Sequence, residues 1–411
     1  MFAKYLIPAV AVLGAVSAQS SCKQTQVEIN STADAQTIGS SCTTFTGNIV
    51  IGKGASGSID LGSLAQIKGD LIAEDNEHLT GLTGGSLNAI SGTFQLHNLI
   101  GLSTLQFEKL KSVGSIDWAT LSQLDTLTFG TPGIQSAKSI VIGDTFLSSL
   151  EGIDVTSLDV LNINNCHRLQ TLDLPLANLS TTFDLQANGA SNNLNVTLSS
   201  LKWIANMSVQ DTQQFLVPSL ETVNGSLRFD KNLFTTFTAP NLTSVQSGDI
   251  SFVSNNKLTN LSFPQLTTMG GGLLIANNTQ LDEVDGFNKL KTVGGAIKLR
   301  GNFTDVSFDA LNDVKGAFDL SSTNDISKVC DKFQELSSSK QGGGGQIQGV
   351  YHCQSNNSLA NSDTGGNTSS TGTTGGGSGS SSGSDDSAAS GLVANFAMIS
   401  LAVVGGLVAL L

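Results

Sequence analysis

Gly248-Asp249-Ile250-Ser251-Phe252 returns as Gly271-Gly272-Leu273-Leu274-Ile275 and again as Gly295-Ala296-Ile297-Lys298-Leu299. The three glycines are 23 and 24 residues apart, and each is followed by two apolar residues separated by one position. Alternation with a period of two predicts a short β-strand with one buried face. A strand that recurs at such an interval is typical of a solenoid, in which each coil covers the apolar side chains of its neighbours.

The repeat extends over most of the chain. Nine copies begin with a glycine, at Gly47, Gly69, Gly92, Gly114, Gly225, Gly248, Gly271, Gly295 and Gly316. Four degenerate copies begin at Lys138, Asp159, Thr181 and Ala205. The set predicts an all-β fold, a parallel β-solenoid of about 13 rungs of about 22 residues over residues 47–329. An ordinary β-sandwich is the alternative, and the pattern leaves open whether the rungs form one solenoid or two lobes meeting near residues 119–137.

Asparagine recurs in the turn after the first strand of many copies. The positions are Asn76, Asn98, Asn165, Asn232, Asn255, Asn277 and Asn302. Stacked asparagine side chains can satisfy turn backbone groups that no strand ladder reaches. We therefore expect hydrogen bonds from the asparagines of one coil to the next coil.

Both ends of the chain carry sorting signals. Residues 1–18 combine Lys4 with an apolar run and small residues before Gln19, which predicts a signal peptide cleaved after Ala18. Residues 391–411 form a hydrophobic tail behind small residues and a polar spacer, which predicts attachment of a GPI anchor at Gly383 or Ser384 and removal of the tail. A retained transmembrane helix is the alternative. Residues 354–390, rich in Ser, Thr and Gly, are predicted to form a disordered stalk.

Five cysteines mark the limits of the repeat array. Cys22 and Cys42 lie in a predicted N-terminal cap at 19–46, and Cys330 and Cys353 lie in a predicted C-terminal cap at 330–353. In an oxidising compartment, these positions favour the pairings Cys22–Cys42 and Cys330–Cys353 over the other connectivities. Cys166 is left over and is interpreted as a lone thiol, with an intermolecular disulfide as the alternative.

The residues that point outward from the first strand of each rung indicate whether the surface could carry out catalysis. Sugar cleavage by acid–base chemistry needs two carboxylates that face each other. The middle outward residues are Val50, Ile72, Gln95, Asp117, Val141, Asn162, Asp184, Ser208, Arg228, Ser251, Leu274, Lys298 and Asp319. No two consecutive residues of this series are acidic, which argues against an enzyme, although acids in turns could still meet. No catalytic, cofactor or metal residues are assigned, and the acidic run at residues 74–78 is interpreted as a solvated turn.

Sequons for N-glycosylation are unevenly distributed. They lie at Asn30, Asn178, Asn195, Asn206, Asn224, Asn241, Asn260, Asn277, Asn302, Asn356 and Asn367. None occurs between Asn30 and Asn178, so the first five rungs would carry no glycan. Val50, Ile72 and Val141 are outward apolar residues of these bare rungs, and exposed apolar rows can mark interfaces. We expect them to contact a wall polymer or another protein, with ordinary exposed valines on a two-sided strand as the alternative.

The composition narrows the class of partner. The net charge is −13, and the 20 basic residues are spread thinly along the chain. This balance argues against nucleic acid as a partner. No cofactor is expected.

The signal peptide, capped repeats, Ser/Thr/Gly stalk and GPI tail occur in an order that resembles a known family. It is the fungal "extracellular mutant" type of GPI-anchored wall-organisation glycoprotein, whose leucine-rich repeats resemble the receptor L domain. The Gly-x-φ-x-φ strands, the Pro-x-Leu-x-x-φ steps at residues 240–245 and 264–269, and the flanking cysteine pairs carry the resemblance.

The resemblance implies a right-handed parallel β-helix-like fold and a role in cell-wall organisation and integrity. It also implies a location on the outer face of the plasma membrane or in the wall, and no established catalytic activity. We expect a non-enzymatic glycoprotein that binds wall polysaccharide or wall and membrane proteins. A wall-remodelling carbohydrate enzyme and a receptor-like ligand sensor are the alternatives.

Overall fold

The computed structural model describes residues 21–189, 193–337 and 345–362, which form a parallel β-solenoid capped by a helix at each end. The signal peptide, most of the stalk, the tail, Gly383, Ser384 and Asn367 lie outside the described residues.

The elements follow one another with short connections. The first part of the chain contains β1 (Lys23–Ile29), α1 (Thr32–Ser41), β2 (Thr44–Ile51), β3 (Gly57–Asp60), β4 (Gln66–Lys68), β5 (Leu71–Glu74), β6 (Leu79–Thr83), β7 (Ala89–His97), β8 (Thr104–Phe107), β9 (Ser112–Leu121), β10 (Thr128–Phe129) and β11 (Ser139–Thr145). The middle part contains β12 (Ser157–Asn164), β13 (Thr171–Asp173), β14 (Asn178–Gln186), β15 (Leu194–Thr197), β16 (Trp203–Gln210), β17 (Thr212–Leu216), β18 (Thr222–Val223), β19 (Leu227–Asp230), β20 (Thr236–Thr238), β21 (Ser244–Val245), β22 (Ile250–Val253) and β23 (Asn260–Ser262). The last part contains β24 (Thr268–Met269), β25 (Leu273–Ala276), β26 (Glu283–Val284), β27 (Thr292–Val293), β28 (Ile297–Gly301), β29 (Asp305–Val306), β30 (Asp313–Val314), β31 (Phe318–Ser322), α2 (Ser327–Glu335) and β32 (Tyr351–Gln354).

One parallel sheet runs the length of the solenoid. It contains 21 strands, and β9 pairs directly with β11, so the ladder passes through residues 119–137 without a break. The chain therefore forms a single solenoid rather than two lobes. Shorter ladders cover the opposite side of the core, the longest of which is β10-β8-β6-β3.

Glycine recurs because the chain bends tightly where each coil approaches the one before it. A Cβ added to Gly248 would lie 2.3 Å from the carbonyl carbon of Gly225, and a Cβ on Gly69 would lie 2.2 Å from the carbonyl oxygen of Gly47. No L side chain fits at such distances. The glycine-less copies instead include long strands such as β14, whose register with β12 shifts by one residue at the bend.

The core is a continuous column of aliphatic and aromatic side chains. Phe229 stacks on Phe252 with ring centroids 4.8 Å apart, and Phe263 stacks on Phe287 at 5.0 Å. All four rings are fully buried. Since one coil is too thin to enclose such rings, each coil depends on its neighbours for burial.

The recurring asparagines occupy two adjacent columns rather than one. The buried column contains Asn76, Asn188, Asn232, Asn255 and Asn278. Its members bond from coil to coil: Asn278 Oδ1 accepts the backbone N–H of Asn255 at 2.8 Å, and Asn255 Oδ1 accepts that of Asn232 at 2.9 Å.

The other column precedes the buried one by one residue and has left-handed backbone angles. Asn98, Asn165 and Asn277 have φ of 52°, 55° and 57°. Asparagine tolerates this region better than most residues. The predicted series therefore mixes the two columns, and the buried amide next to Asn277 is that of Asn278. Bonds between coils still occur in this column, since Asn277 Nδ2 donates to Ser254 Oγ and Asn98 Nδ2 to Asp75 Oδ1, both at 3.0 Å.

Both ends of the solenoid are covered by short helices that the sequence pattern did not predict. The hydroxyl of Ser31 accepts the backbone N–H of Asp34 at 3.2 Å and caps the first helix, which buries Ala35. The second helix buries Phe333, whose ring centroid lies 4.5 Å from that of Phe318. These helices close the apolar ends of the core.

Both predicted disulfides are present. Cys22 is bonded to Cys42 and Cys330 to Cys353, and each pair has a Cα–Cα distance of 5.6 Å. Each bond ties a cap helix or its end to a strand of the main sheet, so the caps are part of the solenoid.

The ordered C-terminal part extends beyond the predicted stalk boundary at Gln354. Ala360 is buried, and Asn357 Nδ2 donates to Ser321 Oγ at 2.8 Å. Residues 355–362 therefore pack on the last coils instead of beginning the stalk. Among the described residues, no helix has both the length and the apolar character needed to cross a membrane.

Candidate functional site: the outer face of the long sheet

The thirteen predicted outward residues form one continuous row. Each lies opposite the next in strand register, from Val50 opposite Ile72 to Lys298 opposite Asp319, and we call this row the middle ladder. Glu28 extends it at one end and His352 at the other. Residues two positions further along each strand form a second row, the flanking ladder, which begins at Glu74 and in which Asp230, Ala276 and Ser321 are buried. The two ladders make up the outer face.

The apolar residues predicted as an interface do not form one patch. Val50 and Ile72 are direct neighbours on β2 and β5, and both are half-buried. Val141 is separated from Ile72 by Gln95 and Asp117. The structure thus leaves a two-residue apolar area at the N-terminal end of the outer face, with Val141 outside it.

A histidine joins two carboxylates immediately beside this apolar area. His97 Nδ1 lies 3.8 Å from Glu74 Oε1, and His97 Nε2 lies 3.1 Å from Asp117 Oδ1 without the alignment of a hydrogen bond. Gln95 Nε2 donates to Glu74 Oε1 at 2.6 Å. This cluster was not predicted from the sequence, because only residues of the middle ladder were compared, and Glu74 and His97 belong to the flanking ladder. Residues i and i+2 of each strand had to be read together.

The centre of the outer face is a polar area made of amides and hydroxyls. It contains Asn162, Asn164, Asp184, Gln186, Ser208 and Gln210. Asn164 Nδ2 donates to Asn162 Oδ1 at 2.8 Å. Burial raises the pKa of Asp184, and a hydrogen bond from Ser208 opposes that shift. Planar amides at the strand spacing of about 4.8 Å offer regularly spaced donors and acceptors to an extended ligand.

The C-terminal end of the outer face is charged. Arg300 Nη2 donates to Asp319 Oδ2 at 2.8 Å, and His352 Nδ1 lies 2.8 Å from Asp319 Oδ1. Burial acts to raise the pKa of Asp319, but the hydrogen bonds from His352 and Arg300 outweigh it and hold that pKa below its usual range. Further along, Arg228 Nε donates to Asp230 Oδ2 at 2.5 Å. These paired charges stabilise the surface locally rather than leaving a catalytic carboxylate exposed.

The acidic run at residues 74–78 does not converge on one point. Asn76 is buried in the asparagine column, and Asp75 Oδ2 accepts from Lys53 Nζ at 2.9 Å. Within residues 21–189, 193–337 and 345–362, no three His, Cys, Asp or Glu side chains are grouped so that they could hold a metal ion.

No sequon asparagine among the described residues is a member of the middle ladder, although Asn206 lies on the same face directly beside it. In the described part of the chain the sequon residues are Asn30, Asn178, Asn195, Asn206, Asn224, Asn241, Asn260, Asn277, Asn302 and Asn356. None belongs to the middle ladder or, between Glu74 and Gln354, to the flanking ladder. Asn206 lies nearest, two residues before Ser208 on β16. The rows without a sequon asparagine therefore extend beyond the first five rungs and follow the sheet.

Comparison with known proteins gives consistent relatives. A family model described as "Ecm33: GPI-anchored cell wall organization protein" matches residues 1–38. The protein ecm33 of Aspergillus fumigatus is 36% identical over 356 residues, which are 86% of this chain and 86% of that protein. A cell surface GPI-anchored protein of Arthroderma benhamiae is 33% identical and covers 82% of this chain and 84% of its own length. A solved leucine-rich repeat protein from Bacteroides ovatus is 12% identical, with a TM-score of 0.30 over 74% of this chain and 83% of that one.

Proposed function

We propose a binding role for this chain, which belongs to the Ecm33 family of GPI-anchored cell wall organization proteins. Its relatives are cell-surface and cell-wall proteins, and the chain acts at the same location, in the organisation of the fungal wall. In this proposal the chain is not an enzyme and works by binding wall polysaccharide or wall and membrane proteins through the outer face.

The observation that carries this proposal is the length of the sequon-free outer face. A glycan on a ladder residue would cover several neighbouring rungs, and the two ladders from Glu74 to Arg300 contain no sequon asparagine. The face repeats one strand on each rung, so an extended partner can contact successive rungs in the same register. Its polar centre supplies hydrogen bonds, and its paired charges at the C-terminal end limit the choice of partner.

The apolar pair Val50 and Ile72 provides the contact that tests this role. Both are half-buried members of the middle ladder, and the sequon residue Asn30 lies beside Val50, over Gly52, at the edge of this apolar area. Apolar area that becomes buried on binding contributes about 25 cal/mol per Å². We expect the pair to anchor one end of the partner.

The test replaces Ile72 by lysine in cells that depend on this protein for growth under wall stress. Ile72→Lys should lower wall integrity while the protein still reaches the surface with an unchanged melting temperature. Leu216→Lys is the matched control, because Leu216 is an exposed apolar residue of β17, which belongs to a separate sheet outside the outer face. Equal wall integrity in wild-type and Ile72→Lys cells would remove the apolar pair from the binding face.

We further propose that Gly383 or Ser384 carries the GPI lipid and that residues 1–18 and the tail are removed. The test is release of the native protein from intact membranes by a phosphatidylinositol-specific phospholipase. Release by glucanase alone would show transfer to wall glucan, and release by neither enzyme with an intact C-terminus would identify residues 391–411 as a membrane span.

The two carboxylates beside His97 are the observation that favours the alternative function, a wall-remodelling carbohydrate enzyme. Glu74 and Asp117 are 45% and 39% exposed, and a histidine lies between them. We expect Glu74→Gln combined with Asp117→Asn to retain wall function in the same growth assay, since the groups hold the sheet surface together. A loss of function with the fold and surface level preserved would favour chemistry at this cluster.

A further inference from the structure

A groove follows the tight bend of the last coils, on the side of the solenoid next to the outer face. It has a volume of about 530 Å³ and extends over four coils, from β21 to β30. The hydroxyls of Ser244, Thr268 and Thr292 line one wall. Gly270 and Gly294 form part of the floor, where the coils approach so closely that a Cβ on Gly294 would lie 2.2 Å from the carbonyl oxygen of Gly270.

Asn224 stands at the head of this groove. In the strand register, Thr222 lies opposite Ser244 and Val223 lies opposite Val245. Asn224 is therefore opposite Gln246, which lines the first coil of the groove. The backbone N–H of Gln246 donates to the carbonyl of Val223 at 2.8 Å, which fixes this alignment. Adjacent coils of a sheet are about 4.8 Å apart, so the Asn224 side chain begins about one coil from the groove.

Asn224 is also a sequon residue, with Ser226 at the third position, and it is exposed. Its carbonyl accepts both the backbone N–H and the hydroxyl of Ser247, at 2.9 and 2.6 Å, which holds the backbone of this turn. By contrast, the amide of Asn241, another exposed sequon residue, is itself engaged and donates to the carbonyl of Pro218 at 2.8 Å.

We propose that the groove binds the protein's own N-glycan, which is attached to Asn224 and whose first sugars lie along the coils from β21 to β30. The inference rests on glycosylation of Asn224 and not on the binding role of the outer face. Four coils give a path of about 14 Å along the groove, which suits a short run of sugar rings rather than a compact ligand.

The chemistry of the lining matches a carbohydrate. Serine and threonine hydroxyls both donate and accept, as sugar hydroxyls require. Glycine positions let a sugar ring approach backbone groups that a side chain would cover. At the far end, Asp313 Oδ1 already accepts from Gln348 Nε2 at 2.6 Å, which leaves Lys315 as the exposed donor there.

Covalent attachment favours this occupant over a free polysaccharide. A tethered ligand is present at a high effective concentration, so weak hydrogen bonds suffice to keep it in the groove. A free chain entering the same groove would first have to displace the glycan at its head.

The experiment measures glycan accessibility site by site. The native glycoprotein is treated with an endoglycosidase for increasing times, and the remaining glycan at each asparagine is determined by peptide mass spectrometry. We expect release at Asn224 to be at least about tenfold slower than at Asn260, an exposed sequon residue on a different ladder. After denaturation the two rates should be equal.

A pair of arginine variants tests whether the groove protects the glycan: one variant fills the groove, and the other places an arginine outside it. Thr268→Arg combined with Thr292→Arg should raise the native rate at Asn224 to that at Asn260, while Thr236→Arg on β20 should not. Should the double variant fold poorly, comparison of melting temperatures gives a second test: Asn224→Gln should lower the melting temperature more than Asn260→Gln.

In the accessibility experiment, three results would overturn the proposal: an unoccupied Asn224, equal native rates at Asn224 and Asn260, or slow release that persists in the double arginine variant. Binding of a soluble β-glucan oligosaccharide by Asn224→Gln but not by the wild-type glycoprotein would support it, because the glycan would then be shown to fill the site. The same binding by both proteins would overturn it and assign the groove to a free polymer.

Discussion

Cys166 occupies a position in the buried asparagine column, directly next to Asn188. Its backbone N–H donates to Asn188 Oδ1 at 3.0 Å, and its thiol sulfur lies 3.1 Å from Thr145 Oγ1. The side chain is 1% exposed, and burial raises the pKa of the thiol. The cysteine therefore stands where other coils have an amide, and the thiol is shielded from partners in solution.

We expect Cys166 to be unreactive in the native protein. A thiol reagent at neutral pH should label it only after unfolding, because the protonated, buried form reacts slowly. Cys166→Asn should be neutral or stabilising by about 0.5–1.5 kcal/mol, since an amide can resume the column's hydrogen bonds. Asn188→Ala should cost about 1–3 kcal/mol, because it leaves the N–H of Cys166 unpaired. Rapid labelling of the folded protein, or a covalent dimer through Cys166, would contradict this account.

Adjacent asparagines on one turn should respond in opposite ways. Asn278→Ala removes the acceptor of the Asn255 N–H and the donor to the carbonyl of Phe252, at 2.8 and 2.9 Å. We expect a loss of about 2–5 kcal/mol, since both groups stay buried. Asn277→Gly removes the sequon and the part-buried hydrogen bond from Asn277 Nδ2 to Ser254 Oγ at 3.0 Å, but glycine suits the φ of 57°. Its effect should therefore stay within about 1 kcal/mol. Thermal unfolding of the two variants measures the difference, and similar losses would refute the two-column assignment.

The sequence predicted the main sheet in detail because its pattern is set by physical rules that each coil repeats. Alternation placed Val50, Asp184 and Asp319 on one outward row, and the register confirms it. The glycines marked a bend that admits no Cβ. In contrast, the cap helices are short, and their few apolar positions did not distinguish a helix from a loop.

The functional surface was harder to predict. The contact between His97 and two carboxylates depends on neighbouring coils, so the strand of His97 alone gave no signal. The bend groove is formed by backbone, and residue chemistry alone does not indicate its volume. Likewise, Asn277 and Asn278 are the same residue type, and only the turn geometry separates the half-buried amide of Asn277 from the buried amide of Asn278.

Two aspartates of the middle ladder should affect stability with opposite signs. The pKa of Asp184 is raised by burial, so its charge destabilises the fold above the ordinary carboxyl pKa. Asp184→Asn should therefore raise the melting temperature at pH 7, and the gain should vanish near pH 3, where the carboxyl is protonated in both states.

Asp319 gives the reverse result. Burial opposes its ionisation, but the hydrogen bonds from His352 and Arg300 lower its pKa, so its charge stabilises the fold above the ordinary carboxyl pKa. This contribution is lost as the pH falls through the lowered pKa. Asp319→Asn should lower the melting temperature at pH 7 and make little difference at strongly acid pH. Shifts of the same sign in both variants at pH 7 would contradict these environments.

The glycine column gives the sharpest test of the bend. A Cβ on Gly248 would lie 2.3 Å from backbone of the coil before it, whereas a Cβ on Gly85 would meet nothing within 4 Å. Gly248→Ala should destabilise the protein by about 1–3 kcal/mol or more, since only the backbone can give way. Gly85→Ala should be neutral or stabilising by about 0.4–1 kcal/mol through the unfolded chain. Melting temperatures of the two secreted variants decide the matter, and a tolerated Gly248→Ala would mean that neighbouring coils separate at the bend more easily than the close backbone contacts imply.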